Sequence, residues 1–421
     1  MRFNQRLRDL AKMPLGRVGT CLVGFAVCLA PAWMFADTLQ NYRLHSDDFA
    51  YLAGSRTLNR ALAALFQPHN THIVPAWRLL TWALVACAGS LSNLQPVFAG
   101  AAYGILVAVM LMVGRLVARE TGNEVLGLAA MAFTGSTSLM NAAGTWYSAS
   151  QTLWAGFGIL ATLWYLQEFR RRGGRWRLLA AAVCTWLAAG FWSIGHAAGP
   201  VGAVYLFCDG RAKCKRVAWA PLAATGLAIV LALAVGGRKI NATVSFGGRT
   251  TVEAAKPLQG AFHTLQAVPE DLIFGNLGLT VATTLGQGAV MTLGLAACWA
   301  WSALRRGRPG ALECAGGALV VISFFVEWTV RGYLPFFLLR GAVPWYDTIP
   351  HIGWVLFVAG WWAGHNAPAN SAPSRATVGG ALAVLLIQGA LIAVNQPRID
   401  ALLNKQVPST IPEELRDVHI P

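Results

Sequence analysis

Two adjacent acids, Asp47 and Asp48, stand directly after the first long apolar run of the chain. Ser46 or Asp47 can cap a helix that runs from about Phe49 to Phe66, and acids in a first helical turn suit the helix dipole. One acid of such a pair can also act as a general base that takes a proton from a hydroxyl. The other can then orient a substrate or share a divalent cation such as Mg²⁺ or Mn²⁺. Both interpretations stay open here, and the pattern does not decide which acid is the base.

A second polar group follows about twenty residues later, in a proline-bounded turn that contains His69, Asn70 and His72, with Arg78 shortly after. Two histidines three residues apart can bind a metal, but without an acid in the turn this spacing is a weak metal signal. The side chains can instead hydrogen-bond to backbone or to lipid head groups. A third interpretation places them around a phosphate or sugar beside the acid pair, and we favour it because both motifs share one loop.

The chain that carries these groups has the composition of a membrane protein. Hydrophobic residues make up 56% of its 421 residues, charged residues only 12%, and the mean hydropathy is +0.50. A helix needs about 20 apolar residues to span a bilayer, and such runs recur along the sequence. The first run, 18–36, follows a basic segment and lacks a small-x-small cleavage site at its end. We therefore interpret it as an uncleaved signal anchor with a cytoplasmic N-terminus.

Basic loops determine the predicted topology, because Lys and Arg are enriched in cytoplasmic loops. The segments 170–177, 211–216 and 305–308 are predicted to be cytoplasmic. The apolar run 178–208 between the first two is then a pair of short spans, broken at 195–200 on the outer surface. The predicted fold is all-α and polytopic, with eleven transmembrane helices near 18–36, 97–118, 125–143, 149–167, 178–194, 197–208, 217–235, 277–304, 311–330, 351–364 and 377–395.

Segment 75–94 is apolar enough to be a twelfth span, but a crossing there would move the basic segment 170–177 to the outside. We interpret 75–94 as an interfacial or re-entrant helix within the first outer loop. The whole chain, 1–421, is predicted to form one integral-membrane domain. Three stretches predicted to face outward have room for a site outside the bilayer: 37–96, 236–276 and 331–350. The short tail 396–421 is also predicted to face outward.

The predicted topology accounts for most of the positive charge behind the net charge of +15. Twenty of the 33 Lys and Arg residues fall on segments that are predicted to be cytoplasmic, as the positive-inside bias requires. The sequence lacks the basic stripes interleaved with aromatic residues that are typical of nucleic-acid binding. Its eight cysteines lie in apolar runs or short basic loops without a Cys-x-x-Cys pair, which does not indicate a disulfide framework or a zinc site.

The first outer loop resembles the GT-C superfamily of integral-membrane glycosyltransferases. That superfamily includes lipid A aminoarabinose transferases, protein O-mannosyltransferases and bacterial O-antigen-modifying enzymes. The resemblance rests on Asp-Asp-Phe after the first span, a His-Asn-x-His turn and Pro-x-x-Arg, which are residues 47–49, 69–72 and 75–78. Related bacterial sequences often read His-Asn-Glu-His-Arg, whereas this chain has Thr71 and Ile73 in place of the Glu and Arg. The span arrangement is similar only loosely, and beyond about residue 210 the likeness is architectural.

The resemblance implies a polyprenyl-phosphate sugar as donor, used on the outer face of a bacterial inner membrane, and a glycan, lipid or protein as acceptor. The acceptor hydroxyl would attack the anomeric carbon in line and invert it, with Asp47 or Asp48 as base. A fixed cation would stabilise the charge of the leaving phosphate. We prefer Arg340 for this role because its loop also carries the polar group 345–347. His196 lies at the helix break that approaches the lipid phosphate in relatives.

Two other classes of protein fit a polytopic chain. A transporter or flippase of lipid-linked sugars places ionisable residues near the middle of the membrane, often on broken helices in two matching halves. A polysaccharide-assembly protein or membrane scaffold needs neither the acid pair nor the His turn. Here the acids are predicted at the outer surface and the sequence shows no paired halves, so it favours an inverting glycosyltransferase.

Overall fold

A computed structural model describes most of the chain, with gaps that include both ends. The residues it describes are 15–40, 44, 46–69, 72–236, 244–246, 249–251, 257–279, 281–307, 309–331, 346–365 and 375–403.

The described residues are almost entirely helical, which confirms the predicted all-α class at that level. A small antiparallel hairpin, β1 (Val244–Phe246) and β2 (Arg249–Thr251), pairs Val244 with Thr251 in the second predicted outer stretch. The α-helices are α1 Leu15–Met34, α2 Ala36–Gln40, α3 Ser46–Ser55, α4 Leu58–Ala63, α5 Pro75–Ala88, α6 Leu91–Thr121, α7 Glu124–Gly135, α8 Asn141–Thr145, α9 Gln151–Arg172, α10 Arg175–Phe191, α11 Ala198–Phe207, α12 Ala212–Val217, α13 Trp219–Gly236, α14 Pro257–Ala267, α15 Leu285–Arg305, α16 Ala311–Arg331, α17 Thr348–His365 and α18 Arg375–Leu403.

Five short segments of tighter or wider helix connect these elements. Four are 3₁₀ turns and one, Val268–Phe274, is a π-helix that continues α14. The 3₁₀ turns are Ser138–Met140, Ser148–Ser150, Ser193–Ala197 and Gly275–Leu277.

Three helical stretches among the described residues are long and apolar enough to cross a bilayer: Ser92–Thr121, Ala212–Ala232 and Gly379–Pro397. A fourth is added if Glu124–Gly135 and Ser138–Thr145, which meet at 61°, form one broken span. These helices are consistent with a membrane protein. The count of eleven spans stays a prediction for the remaining helices.

Two predicted helices of the first outer loop have different bounds in the structure. The helix expected from 49 to 66 is two helices, α3 and α4, because Thr57 is extended and its hydroxyl accepts a hydrogen bond from the Arg60 backbone nitrogen at 3.3 Å, which caps α4. The segment 75–94 is likewise not one helix. Gly89 ends α5 with a left-handed φ of 63°, and α6 starts at Leu91 and continues for 31 residues.

The predicted break in the run 178–208 is present, as the 3₁₀ turn Ser193–Ala197 between α10 and α11. Gly195 folds back against the end of α10 there, and a Cβ on it would lie within 3.0 Å of the carbonyl of Ala188. The backbone therefore turns so closely at this point that only glycine fits without a shift.

Apolar packing divides into a large cluster and a smaller one. The large cluster joins α1, α6, α7, α9, α10, α11, α16 and α17 and forms the body of the helical bundle. The smaller cluster belongs to the first outer loop and the adjoining ends of α6 and α9, and its members include Phe49, Tyr51, Trp77, Phe98 and Tyr147. The loop therefore has a core of its own, which holds the predicted site in a fixed shape.

We predict that Gly195→Ala lowers the free energy of unfolding by about 1–3 kcal/mol, because the methyl group overpacks the contact with Ala188. Thermal unfolding of the detergent-solubilised protein measures the change. Gly226→Ala, in α13, is the matched control, since nothing lies within 4 Å of the Cβ it would add. We expect the control to be neutral or stabilising, since alanine favours a helix interior over glycine by about 1 kcal/mol. Equal losses in both variants would contradict the role of the close approach.

Candidate functional site

Asp48 lies in the first turn of α3, and its carboxylate is buried, with 0% of the residue exposed. One carboxylate oxygen, Oδ1, accepts a hydrogen bond from the backbone nitrogen of Ser148 at 2.9 Å and a second from the Ser148 hydroxyl. The backbone of Asp47 is part of α3, and its side chain lies outside the described part of the structure. A buried carboxylate needs such donors, because burial of an unpaired charge is costly.

Ser148 opens the 3₁₀ turn that leads into α9, so Asp48 meets the N-terminal end of that helix. Unpaired backbone N–H groups and the helix dipole favour a negative group at such an end. One turn further along α3, the Tyr51 hydroxyl lies 3.5 Å from Oε1 of Gln151. Asp48 and Tyr51 are three residues apart, as are their partners Ser148 and Gln151. The two contacts together fix the register of α3 against the start of α9.

An aromatic stack around Tyr147 supports the backbone of Ser148. Tyr147 is fully buried, and its ring is stacked between Trp77 of α5, at 4.4 Å between centroids, and Phe98 of α6, at 3.9 Å. Its hydroxyl lies 2.8 Å from Oγ1 of Thr81. Because Tyr147 immediately precedes Ser148, this packing holds the donors to Asp48 in place.

The His turn closes through backbone pairing. His69 and His72 exchange two N–H···O=C bonds, each 2.9 Å long. The predicted site residue Asn70 lies outside the described residues. The His69 ring is 4.4 Å from the ring of Tyr51, so the turn packs against the same helix that carries Asp48.

His72 connects the turn to the helix break. Its Nδ1 lies 2.6 Å from the hydroxyl oxygen of Ser193, the first residue of the 3₁₀ turn between α10 and α11. The ring also lies 6.0 Å from Trp192, which in turn lies 5.7 Å from Tyr346. The structure thus brings together two predicted features, the His turn and the broken hairpin, that are 121 residues apart.

Arg78 is buried against α3 rather than directed to the surface, with 6% of the residue exposed. Its guanidinium carbon lies 5.6 Å from the centroid of the Tyr51 ring, and Nη2 donates to the carbonyl of Gln67 at 3.4 Å. Gly54 leaves room for it, because a Cβ there would be 2.8 Å from Nη1. Burial lowers the pKa of this guanidinium from its ordinary value, although arginine stays protonated in proteins.

His196 lies within the helix break, and its contacts involve α13. Its backbone carbonyl accepts a hydrogen bond from the Thr225 hydroxyl at 3.4 Å, and its Nδ1 is buried with no hydrogen-bond partner among the described residues. Burial lowers the pKa of the imidazole. Arg340, the preferred phosphate-binding cation, lies outside the described residues.

The described part of the chain contains no group of three or more His, Cys, Asp or Glu residues that could hold a metal ion. His72 uses one ring nitrogen toward Ser193, and Asp48 uses one oxygen toward Ser148. The side chains of Asp47 and Asn70 lie outside the described residues, so the divalent cation considered from the acid pair stays a prediction.

Sequence reasoning missed two residues of this arrangement, Ser148 and Ser193. Ser148 follows the aromatic pair Trp146-Tyr147, and Ser193 follows Trp192 at the beginning of the break. A serine directly after interfacial aromatics, where a span starts or breaks, is the signal that could have identified both. Neither residue can be paired with its partner from sequence spacing alone.

No protein-family model matches this chain, and a search of curated proteins finds no significant match. The resemblance to the GT-C superfamily therefore stays a prediction that rests on the motifs of the first outer loop.

We predict that Ser148→Ala loosens α3, because it removes the side-chain donor to the buried Asp48 carboxylate; such charge-assisted bonds contribute about 1.5–3 kcal/mol. Hydrogen exchange of the α3 amides, followed by mass spectrometry, should become faster. Ser150→Ala is the matched control, since that serine is also buried but donates to the local carbonyl of Tyr147. Unchanged exchange in α3 for Ser148→Ala, or equal acceleration in the control, would rule out this anchoring role.

The lowered pKa of His196 predicts a stability that depends on pH. The folded state favours the neutral imidazole, so its contribution is complete above the unfolded pKa of about 6.5 and is lost as the pH falls below that value. Unfolding midpoints measured from pH 8 to pH 5 should fall less steeply for His196→Gln than for the parent protein. The same slope in both would show that His196 titrates alike when folded and unfolded.

Proposed function

We propose that this protein is an inverting glycosyltransferase of the GT-C type, which moves a sugar from a polyprenyl-phosphate donor to a hydroxyl acceptor. In this proposal the chain crosses a bacterial inner membrane eleven times, and the first outer loop holds the site on the outer face. The observation that carries the proposal is the convergence of three separate segments: the acid helix α3, the His turn, and the helix break at Ser193–Ala197.

In this proposal the two acids have different roles. Asp48 is held by Ser148 and buried, so it is suited to orient α3 and the loop around it rather than to exchange protons with a mobile substrate. Neighbouring residues of a helix do not face the same partner. We therefore assign the base to Asp47, the adjacent position at the N-terminal end of α3.

The reaction follows from these roles. Asp47 takes the proton of the acceptor hydroxyl as its oxygen attacks the anomeric carbon from the side opposite the lipid phosphate. The bond between that carbon and the phosphate oxygen breaks, its electron pair leaves with the phosphate, and the configuration inverts.

Charge that develops on the leaving phosphate needs a fixed donor or cation nearby. The hydrogen-bonded pair His72 and Ser193 supports a phosphate position at the start of the 3₁₀ turn. Arg78 is less suited to this role, because it is buried against Tyr51. Arg340 stays the proposed phosphate-binding cation on sequence grounds.

Transfer from polyprenyl-phosphate hexoses and pentoses to envelope acceptors, measured in membranes, tests the proposal. We expect Asp47→Asn to lose at least 100-fold in rate, as removal of a general base costs about 10²–10⁴-fold. Asp48→Asn should lose less and show a shifted melting temperature, because it acts through position. Asp37→Asn, an exposed acid of the same loop, is the matched control and should keep full activity.

Full transfer by both Asp47→Asn and Asp48→Asn, at normal expression, would overturn the catalytic assignment. A flippase of lipid-linked sugars would give a different result: labelled donor would cross liposome membranes that contain the protein, and no glycosidic bond would be broken.

A further inference from the structure

Two basic loops meet at the end of the bundle that is predicted to be cytoplasmic. One joins α9 to α10 and the other joins α11 to α12. Nη1 of Arg211 donates to the carbonyl of Arg170 at 2.9 Å, and Nζ of Lys213 lies 5.2 Å from the ring centroid of Phe169. A Cβ on Gly173 would lie 3.4 Å from the same Nζ, so the loops are in direct contact although both are strongly positive.

The acids of this region are already neutralised by other arginines. Arg170 bonds both Glu120 and Asp209 at 2.6 Å, and Arg211 bonds Asp209 at 2.6 Å. Burial alone would raise the pKa of the Asp209 carboxyl, but hydrogen bonds from Arg211 and Cys214, together with the charge of Arg170, lower it to about 2. Asp209 is therefore charged, and both carboxylates are engaged by Arg170 inside the network.

A further acid, Glu168, pairs with Arg119 and also with Arg172, at 3.5 Å. Arg172 is 66% exposed, and such exposed pairs contribute little. The two loops and the adjoining helix ends carry six exposed cations, which we call the basic surface: Arg171, Arg172, Arg175, Lys213, Lys215 and Arg216.

Exposed aromatic side chains border the basic surface. Trp176 is 58% exposed, Phe207 61% and Trp219 73%. Nζ of Lys215 lies 5.4 Å from the ring of Phe207. Tryptophan and other aromatics at the ends of membrane helices lie at the level of the lipid head groups, so the six cations are held at that level too.

We propose that the basic surface binds the head groups of anionic phospholipids in the adjacent leaflet. The positive-inside bias explains why each loop is basic, but it does not require two basic loops to pack together. Of the six cations, only Arg172 pairs with an acid among the described residues. Like charges that converge repel one another, and a phosphate group between them removes that cost. The bilayer supplies such phosphates at the depth of Trp176 and Trp219.

Binding of short-chain phosphatidylglycerol and phosphatidylcholine to the detergent-solubilised full chain tests this proposal. Each Lys or Arg near an anionic surface contributes about fivefold in affinity. We expect the parent protein to prefer phosphatidylglycerol by at least tenfold, and the double variant Lys213→Gln/Lys215→Gln to lose most of that preference. Raising the salt concentration should reduce the preference as well, because the cations are exposed.

The control double variant Arg60→Gln/Arg305→Gln removes the same charge from two exposed positions elsewhere in the chain. Arg305 stacks on Trp301 at 4.7 Å and so resembles the cations of the basic surface, but it belongs to a different loop. We expect this control to keep the lipid preference. Equal affinity of the parent protein for both lipids, or equal loss in both double variants, would overturn the proposal.

Discussion

The burial of one carboxylate, Asp48, is the constraint on which the packing of α3 depends. A charge enclosed by protein must be met by fixed donors, and two of them come from Ser148. That demand joins α3 to the start of α9, and the matching contact of Tyr51 with Gln151 sets their register. The aromatic stack of Tyr147 then has a structural purpose, since it immobilises the backbone that supplies the donors.

The same helix organises the rest of the site. The ring of Tyr51 contacts both the ring of His69 and the guanidinium of Arg78, so the His turn and α5 both pack against α3. His72 extends this chain of contacts to Ser193 at the helix break. A carboxylate anchor, an aromatic ring and an imidazole–hydroxyl bond therefore connect four elements, and displacement of Asp48 would be transmitted to all of them.

Much of this architecture could be predicted from local sequence, and the parts that could not involve partners that are distant in the chain. The break at Ser193–Ala197 was predictable, because a run bounded by two basic loops is too long for one span and contains glycines. The start of a second helix after Thr57, within 49–66, was not predicted, because the capping by this one residue interrupts an otherwise continuous helical pattern. The roles of Ser148 and Ser193 could be recognised only from the structure, because nothing in the sequence around a serine identifies a hydrogen-bond partner 100 or more residues away.

The two ends of the bundle hold their acids with different donors. At the end predicted to face outward, Asp48 accepts hydrogen bonds from the backbone nitrogen and the hydroxyl of Ser148, while Arg78 packs on the Tyr51 ring. At the end predicted to be cytoplasmic, the partly buried acids Glu120 and Asp209 each pair with Arg170. Arg170 therefore joins α6, α9 and the loop after α11 through its ion pairs, whereas the contact of Asp48 with Ser148 joins α3 to the start of α9.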